Sequence, residues 1–139
     1  MKKASTKKPA NARYGLDPEV WQAAKEEMRA ICIQAALARR TITYGELAQQ
    51  MMVVSPHPGS YVFQAMLREM CSDDERAGHI MLCHIVVSRA TGMPGAGYFK
   101  WLATEFPRSA ETDLIERWRA ECEATYDYWN DFLARDNDE

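Results

Sequence analysis

The middle of this 139-residue chain contains two short helical segments separated by a proline-containing turn, through which neither helix can continue. Thr43 and Glu46 have the spacing of a capping box, in which each side chain satisfies a free amide at a helix start, so a helix is predicted over 44–52. Pro56 and Pro58 drive the residues before them away from helical angles, which ends that helix in a turn. The backbone must therefore change direction here between two helices.

Ser60 begins the second of these helices, which is predicted to run to about Cys71. Two short helices joined by a tight turn are typical of a helix-turn-helix, whose second helix enters the major groove of DNA. Its exposed side would present Tyr61, Gln64 and Arg68 together with Ser60. Glutamine can read adenine and arginine can read guanine or phosphate, so these residues are candidate nucleic-acid contacts, although any solvated helix face carries such residues.

Long helices are predicted on both sides of this unit. Pro18 is preorganised for a first helical position, and apolar residues then recur every three or four residues as far as Arg39 and Arg40, which predicts a helix of about 22 residues. Ser109 begins a last helix that ends near Arg135. Its apolar stripe consists of Leu114, Ile115, Trp118, Cys122, Tyr126, Trp129, Phe132 and Leu133. We expect this stripe to pack on the core of the same domain, and docking of a partner is the alternative.

The apolar run Ile80–Ser88 predicts a buried strand, and a glycine-rich turn over 89–97 follows it. Tyr98–Trp101 is then either a second strand or a short helix. A strand, a turn and a returning segment are what a β wing needs, and Arg89 and Lys100 would contact phosphate from it. The predicted fold is therefore mostly α, of the α+β kind: a winged helix-turn-helix with a small β wing and long N-terminal and C-terminal helices.

Four segments of the chain resemble the C-terminal DNA-binding domain of the alkylguanine DNA alkyltransferases and of their alkyltransferase-like relatives that lack the nucleophile. They are Thr43–Ala48, Ser60–Met70, Leu82–Val86 and Gly92–Tyr98. The family has a Thr-Tyr-Gly-Glu-Leu-Ala helix, a recognition helix, an apolar strand with Pro-Cys-His-Arg-Val and a glycine-rich turn ending in an aromatic residue. Order and spacing match over residues 40 to about 105.

The resemblance implies a role for four residues. Tyr44 would help to rotate the target nucleotide, Cys83 would accept the alkyl group, His84 would relay its proton, and Glu105 would polarise the histidine. The nucleotide must be extruded because the reactive oxygen of guanine is inaccessible inside the base stack. A cysteine and a histidine at adjacent strand positions would, however, point to opposite faces.

The chain departs from the family pattern at three places. Leu82 stands where the family has proline, Ile85 stands where it has arginine after the histidine, and Ser60 or Tyr61 replaces the arginine finger. We therefore expect the scaffold without the chemistry, with Cys83 as a buried small hydrophobic residue. The leading prediction is a non-catalytic nucleic-acid-binding protein whose partner is DNA. Single-turnover alkyl transfer to Cys83 is the enzymatic alternative.

Charge is unevenly distributed along the chain. Residues 1–13 carry five bases and no acid, whereas residues 105–139 carry eleven acids and four bases, within a net charge of −3. Because a dedicated DNA-binding protein shows a basic face, we expect nucleic-acid affinity to be modest and sensitive to salt. A third hypothesis is a protein-interaction module that binds a basic partner through residues 109–139. The predicted divisions are a disordered basic tail over 1–15, a winged-helix domain over 16–104 and an acidic C-terminal helix over 105–139 packed on it.

The four cysteines form no Cys-x-x-Cys pair, so neither a zinc ribbon nor a thioredoxin-type motif is predicted. Cys71, His79, Cys83 and His84 match the spacing of no common zinc finger, and neither a metal nor a cofactor is expected. No run approaches the ~20 apolar residues of a membrane span, and the lysine-rich start lacks the apolar segment of a secretory signal. The expected location is the reducing cytoplasm, without a membrane partner.

Overall fold

The computed structural model describes residues 14–137, so the predicted basic tail lies outside the described residues except at Tyr14 and Gly15. Within the described range the chain forms five α-helices, one 3-10 helix and two very short strands. The α-helices are α1 (Pro18–Leu37), α2 (Tyr44–Gln50), α3 (Tyr61–Arg76), α4 (Ala96–Glu105) and α5 (Glu111–Asn137). The strands are β1 (Ile42–Thr43) and β2 (Val86–Val87), and the 3-10 helix is Leu82–Ile85. The mostly helical fold class is thereby confirmed.

The two central helices begin where the capping residues predict. The Thr43 hydroxyl accepts the Glu46 amide at 3.0 Å, and the Glu46 carboxylate accepts the Thr43 amide at 2.9 Å, which completes the capping box. The Ser60 hydroxyl accepts the Phe63 amide at 3.1 Å and caps α3. Helix α3 continues to Arg76, past its predicted end. The capping residues therefore fix the starts of α2 and α3.

The strand predicted over 80–88 is wrong for most of its length. Leu82–Ile85 forms the 3-10 helix, and only Val86–Val87 is extended. This strand pairs in parallel with Ile42–Thr43, and the segment predicted to return as a strand or a helix is helix α4. A parallel pair needs a long crossover connection, which α2 and α3 provide. Among the described residues, the turn after β2 therefore leads into a helix and not into the second strand of an antiparallel wing.

The core lies between α1, α3, α5 and the 3-10 helix. The predicted apolar stripe of α5 packs against this core, as expected for an amphipathic helix. Its buried members are Trp118, Cys122, Tyr126 and Trp129. They belong to the same buried cluster as residues of α1 and α3 such as Met28, Cys32, Phe63, Met66 and Met70. The C-terminal helix is thus an integral part of the core.

Helix α5 also explains why residues 80–85 do not form a strand. The Trp118 indole donates to the His84 carbonyl at 2.7 Å, and the Cys122 thiol donates to the same oxygen at 3.5 Å. The Trp129 indole donates to the Ile80 carbonyl at 3.1 Å. Buried carbonyls need a donor, and here side chains of α5 supply it in place of a neighbouring strand.

The longest helix, α5, has 27 residues, and charged side chains occur along its whole length. None of the helices between residues 14 and 137 combines the length and the apolar character needed to cross a membrane.

Candidate functional site

A cleft of about 700 Å³ opens between α3 and α4, and residues 81–86 lie between the two helices at its inner side. Most of its wall is apolar and aromatic, with polar groups contributed mainly by one side of α3. The lining residues are Tyr44, Gln64, Leu67, Arg68, Cys71, Ser72, Glu75, Met81, Cys83, Val86, Pro94, Gly95, Ala96, Gly97, Tyr98 and Trp101. An apolar pocket with a few convergent polar groups is the typical form of a ligand site.

Four residues singled out from the sequence meet in this cleft, namely Tyr44, Gln64, Arg68 and Cys83. The Tyr44 hydroxyl accepts the amide of Gly95 at 2.9 Å, which ties the start of α2 to the start of α4. Burial raises the pKa of Tyr44, so its hydroxyl stays protonated at neutral pH. Tyr44 therefore ties α2 to the α4 side of the cleft as well as lining it.

Helix α3 presents one face to the cleft, because residues three or four apart lie on the same side of a helix. Gln64 donates its side-chain amide to the Pro58 carbonyl at 3.0 Å, so its donor group is used within the turn before α3. The Arg68 guanidinium lies 5.8 Å from the centre of the Tyr61 ring, a cation–π distance. Arg68 and Glu75, both exposed, are the charged residues of this face.

The Cys83 thiol faces the cleft beside a second thiol. A hydrogen bond with the Cys71 thiol raises the pKa of Cys83 well above its ordinary value, and burial raises it further. Since the thiolate and not the thiol is the nucleophile, Cys83 is held in its unreactive form at neutral pH. The expectation that Cys83 is simply a buried hydrophobic residue is incomplete, because this residue is half-buried and lines the cleft.

His84 does not line the cleft, and its ring lies between side chains of α4 and α5. Its Nδ1 shares a hydrogen bond of 2.7 Å with the Tyr98 hydroxyl, and its Nε2 lies 3.8 Å from a carboxylate oxygen of Glu121. Burial lowers the pKa of His84 to about 4, so the imidazole is neutral at pH 7. Both ring nitrogens are thus directed at groups other than the Cys83 thiol.

The carboxylate that the structure places beside His84 is Glu121 of α5, whereas Glu105 is exposed at the last residue of α4. The resemblance assigned this role to Glu105. No local pattern could have identified Glu121, because it lies far along the chain and reaches His84 only when α5 packs on the core. The separate placement of Cys83 and His84 was expected, but its cause is the 3-10 helix and not the alternation of a strand.

The other predicted contact residues lie outside the lining of the cleft. Ser60 uses its hydroxyl as the cap of α3, and the neighbouring Tyr61 is 68% exposed. Arg89 is exposed in the turn after β2, and Lys100 is exposed on α4. Sequence reasoning did not select several lining residues, because most of them are apolar and carry no chemical signal. These include Leu67, Cys71, Met81, Pro94 and Trp101.

Within residues 14–137, no group of three or more histidine, cysteine, aspartate or glutamate side chains is arranged to hold a metal ion. Four residues were considered as zinc ligands from the sequence. Of these, the free thiols of Cys71 and Cys83 form a hydrogen bond with each other, and His84 forms one with the Tyr98 hydroxyl. His79 packs against the ring of Trp129.

Comparison of the chain with protein-family models, with curated proteins and with solved structures found no match.

Proposed function

We propose that this protein binds DNA without turning over a substrate, and that the cleft between α3 and α4 receives a base rotated out of the duplex. Helices α2 and α3 would act as the helix-turn-helix of a winged-helix module, with α3 as the recognition helix and the turn at 88–95 in place of an antiparallel wing. The observation that carries the proposal is the aromatic cleft that runs along one face of α3.

The lining of the cleft suits a planar heterocycle. The rings of Tyr44, Tyr98 and Trp101 offer faces and edges for stacking, and Leu67 and Met81 add apolar contact. Extruded bases are held in this way, between aromatic or apolar side chains and with hydrogen bonds to their edges. Polar groups are available for those hydrogen bonds on Arg68, Ser72 and Glu75 and on the backbone amides of 96–97 at the start of α4. The resemblance of residues 40 to about 105 to alkyltransferase-like proteins supports the same interpretation.

The charges of α3 are compatible with DNA despite its four acidic residues. Glu69 and Asp73 both bind the ammonium of Lys25, at 2.6 and 2.7 Å, and Asp74 is buried in an ion pair with Arg29. Three of the acids therefore face α1 and are compensated there. Towards the cleft α3 directs one cation, Arg68, and one anion, Glu75, whose charges cancel. We therefore expect only a weak attraction, between Arg68 and phosphate, that falls as salt is added.

The state of Cys83 and His84 supports binding without chemistry. Alkyl transfer would need a Cys83 thiolate, stabilised by a nearby base. The Cys83 thiol is instead hydrogen-bonded to Cys71 with a raised pKa, and the neutral His84 ring is directed at Tyr98 and Glu121. A stable complex with a modified base is therefore favoured over a covalent product.

The binding test is fluorescence anisotropy with a labelled duplex, either intact or carrying a single O6-alkylated guanine, at low and at moderate salt. We expect binding that weakens with salt and is stronger for the alkylated duplex. Ser72→Trp places an indole at the cleft rim and should remove the preference for the alkylated duplex. Ala120→Trp adds the same side chain on the exposed side of α5 and is the matched control. Absence of binding at low salt would overturn the proposal and favour recognition of a basic protein by the exposed acids of α5.

The enzymatic alternative is tested separately by mass spectrometry of the intact protein after incubation with the alkylated duplex. We expect an unchanged mass and full recovery of the alkylated strand. A gain of one alkyl group on Cys83, absent in Cys83→Ser, would show single-turnover transfer and replace the non-catalytic proposal.

A further inference from the structure

An exposed pair of tyrosine rings lies at the start of α3, outside the lining of the cleft. The rings of Tyr14 and Tyr61 have their centres 5.4 Å apart, and their side chains are 51% and 68% exposed. Tyr14 also stacks on Trp21 of α1, with a centre-to-centre distance of 5.6 Å and an interplanar angle of 27°. We name Tyr14 and Tyr61 the tyrosine platform. Large aromatic rings are seldom left in water in adjacent pairs, so this surface needs an explanation.

The tyrosine platform rests on a fixed base. Trp21 is only 3% exposed, and its indole donates to the Glu69 carboxylate of α3 at 3.0 Å. Glu69 also accepts from Lys25 at 2.6 Å, so the support beneath Tyr14 is tied to both α1 and α3. Rigid aromatic rings lose little conformational entropy when a ligand stacks on them, which makes this pair suited to binding.

The tyrosine platform is joined to the cleft by one residue. Arg68 lines the cleft, and its guanidinium also lies over the Tyr61 ring at 5.8 Å. A ligand that leaves the cleft along α3 would therefore meet a cation and then two aromatic rings. The sequence immediately before Tyr14 adds positive charge, since residues 1–13 contain five bases and no acid.

Stacking rings beside positive charge are what binds unpaired nucleotides, because every base has a stackable face and every nucleotide carries a phosphate. We infer that the tyrosine platform is a second nucleic-acid site, which stacks unpaired bases of a strand next to the duplex held by α2 and α3. The inference rests on the proposed function and extends it from duplex DNA to a junction between paired and unpaired nucleotides. A basic protein partner is disfavoured here because Arg68 and the basic N-terminal sequence would repel it.

The test compares two labelled probes by fluorescence anisotropy at one salt concentration. One is a blunt duplex, and the other is the same duplex with an unpaired oligothymidine extension of about six nucleotides. We expect the native protein to bind the extended probe about tenfold more tightly than the blunt one. Tyr14→Ala combined with Tyr61→Ala should bind both probes equally, and the ratio of the two affinities is the readout, because Tyr61 lies on α3 and its loss can weaken the binding of both probes alike.

The matched control is Tyr14→Phe combined with Tyr61→Phe, which keeps both rings and should keep the preference for the extended probe. If the double alanine variant fails to fold, Tyr61→Ala alone provides the same comparison, because this side chain is 68% exposed. Equal binding of the two probes by the native protein would contradict the role of the tyrosine platform as a nucleic-acid site, and so would loss of the preference in the phenylalanine control. Neither result would contradict the proposed function. No binding of either probe at low salt would overturn both.

Discussion

The two sides of α3 both carry polar side chains but have opposite uses. The side that faces α1 carries Glu69, Asp73 and Asp74, whose carboxylates are bound by Lys25 and Arg29. The opposite side lines the cleft, so its side chains face an open volume. On the first side charge is compensated inside the protein and fixes two helices together. On the second side polar groups are directed at a volume large enough for a ligand.

This difference shows why the acidic end of α3 does not by itself argue against DNA. In the sequence, residues 69–75 contain four acids and no base, which would predict a repulsive surface. In the structure, three of these acids are turned to cations of α1, and Arg76 also pairs with Asp73. The charge seen by a ligand in the cleft is therefore set by Arg68 and Glu75.

The largest effect is expected from Asp74→Ala on the α1 side. Asp74 is 1% exposed, pairs with Arg29 and accepts the Leu82 amide at 3.3 Å. Removing one member of a buried pair leaves a partly buried charge without its partner, which typically costs about 3 kcal/mol or more of unfolding free energy. Urea denaturation measures the change. Asp73→Ala is the control, with an expected loss of about 1 kcal/mol or less, because Lys25 keeps Glu69. A smaller loss for Asp74→Ala than for Asp73→Ala would contradict the inference that the Asp74–Arg29 pair stabilises the packing of α3 on α1.

A second effect is expected from pH, behind the cleft. The pKa of His84 falls from 6.5 to about 4 on folding because of burial. Above pH 6.5 the ring is neutral in both states, so it adds no pH dependence. Below pH 6.5 His84 becomes protonated in the unfolded chain but stays neutral in the folded protein. The free energy of unfolding therefore falls as pH is lowered towards 4. The loss should reach about 1.6 kcal/mol between pH 6.5 and 5, mostly above the range in which ordinary carboxylates titrate.

Denaturant titrations at these two pH values measure the effect. His84→Gln should be less stable at pH 7 and show a flatter dependence on pH. His57→Gln removes an exposed imidazole and is expected to keep the slope of the native protein. If His84→Gln kept the pH dependence of the native protein, burial of this ring would not be the cause of the loss of stability below pH 6.5.

The smallest effect is expected from Glu75→Gln on the cleft side. Glu75 is exposed, so its replacement should change the unfolding free energy by about 0.5 kcal/mol or less. Removing one negative charge from the lining of the cleft should strengthen duplex binding about twofold at low salt, and less at high salt. Anisotropy titrations at two salt concentrations, together with urea denaturation, measure both quantities. A large loss of stability with unchanged binding would place Glu75 on the structural side of the comparison.

Local signals in the sequence predicted the helices well and the Cys83 segment poorly. The capping box of Thr43 and Glu46 and the cap of Ser60 work within one helical turn, so their sequence spacing is sufficient to identify them. The strand predicted over 80–88 failed because an apolar run does not reveal its hydrogen-bond partners. Those partners are Trp118 and Trp129 of α5, which bind the His84 and Ile80 carbonyls from across the core.

The candidate site was predicted in the same uneven way. Tyr44, Gln64, Arg68 and Cys83 were selected from their residue types and their positions, and the structure brings them into one cleft. The partners that decide their chemistry were not selected. Cys71 holds the Cys83 thiol, and Glu121 faces His84 from α5. Both depend on packing between segments that are distant in the chain, which no local pattern encodes.

The sequence by itself determined where α1, α2 and α3 begin and which stripe of α5 is buried, because helix caps and apolar periodicity act over a few residues. Helix α5 begins at Glu111, two residues after its predicted start at Ser109. Only the tertiary structure decided that residues 82–85 form a 3-10 helix, that β2 pairs in parallel with β1, and that the Cys83 and His84 side chains point to different neighbours. The physical reason is that buried carbonyls, thiols and imidazoles take whichever partners the packed helices bring to them, and those partners are set by the whole chain.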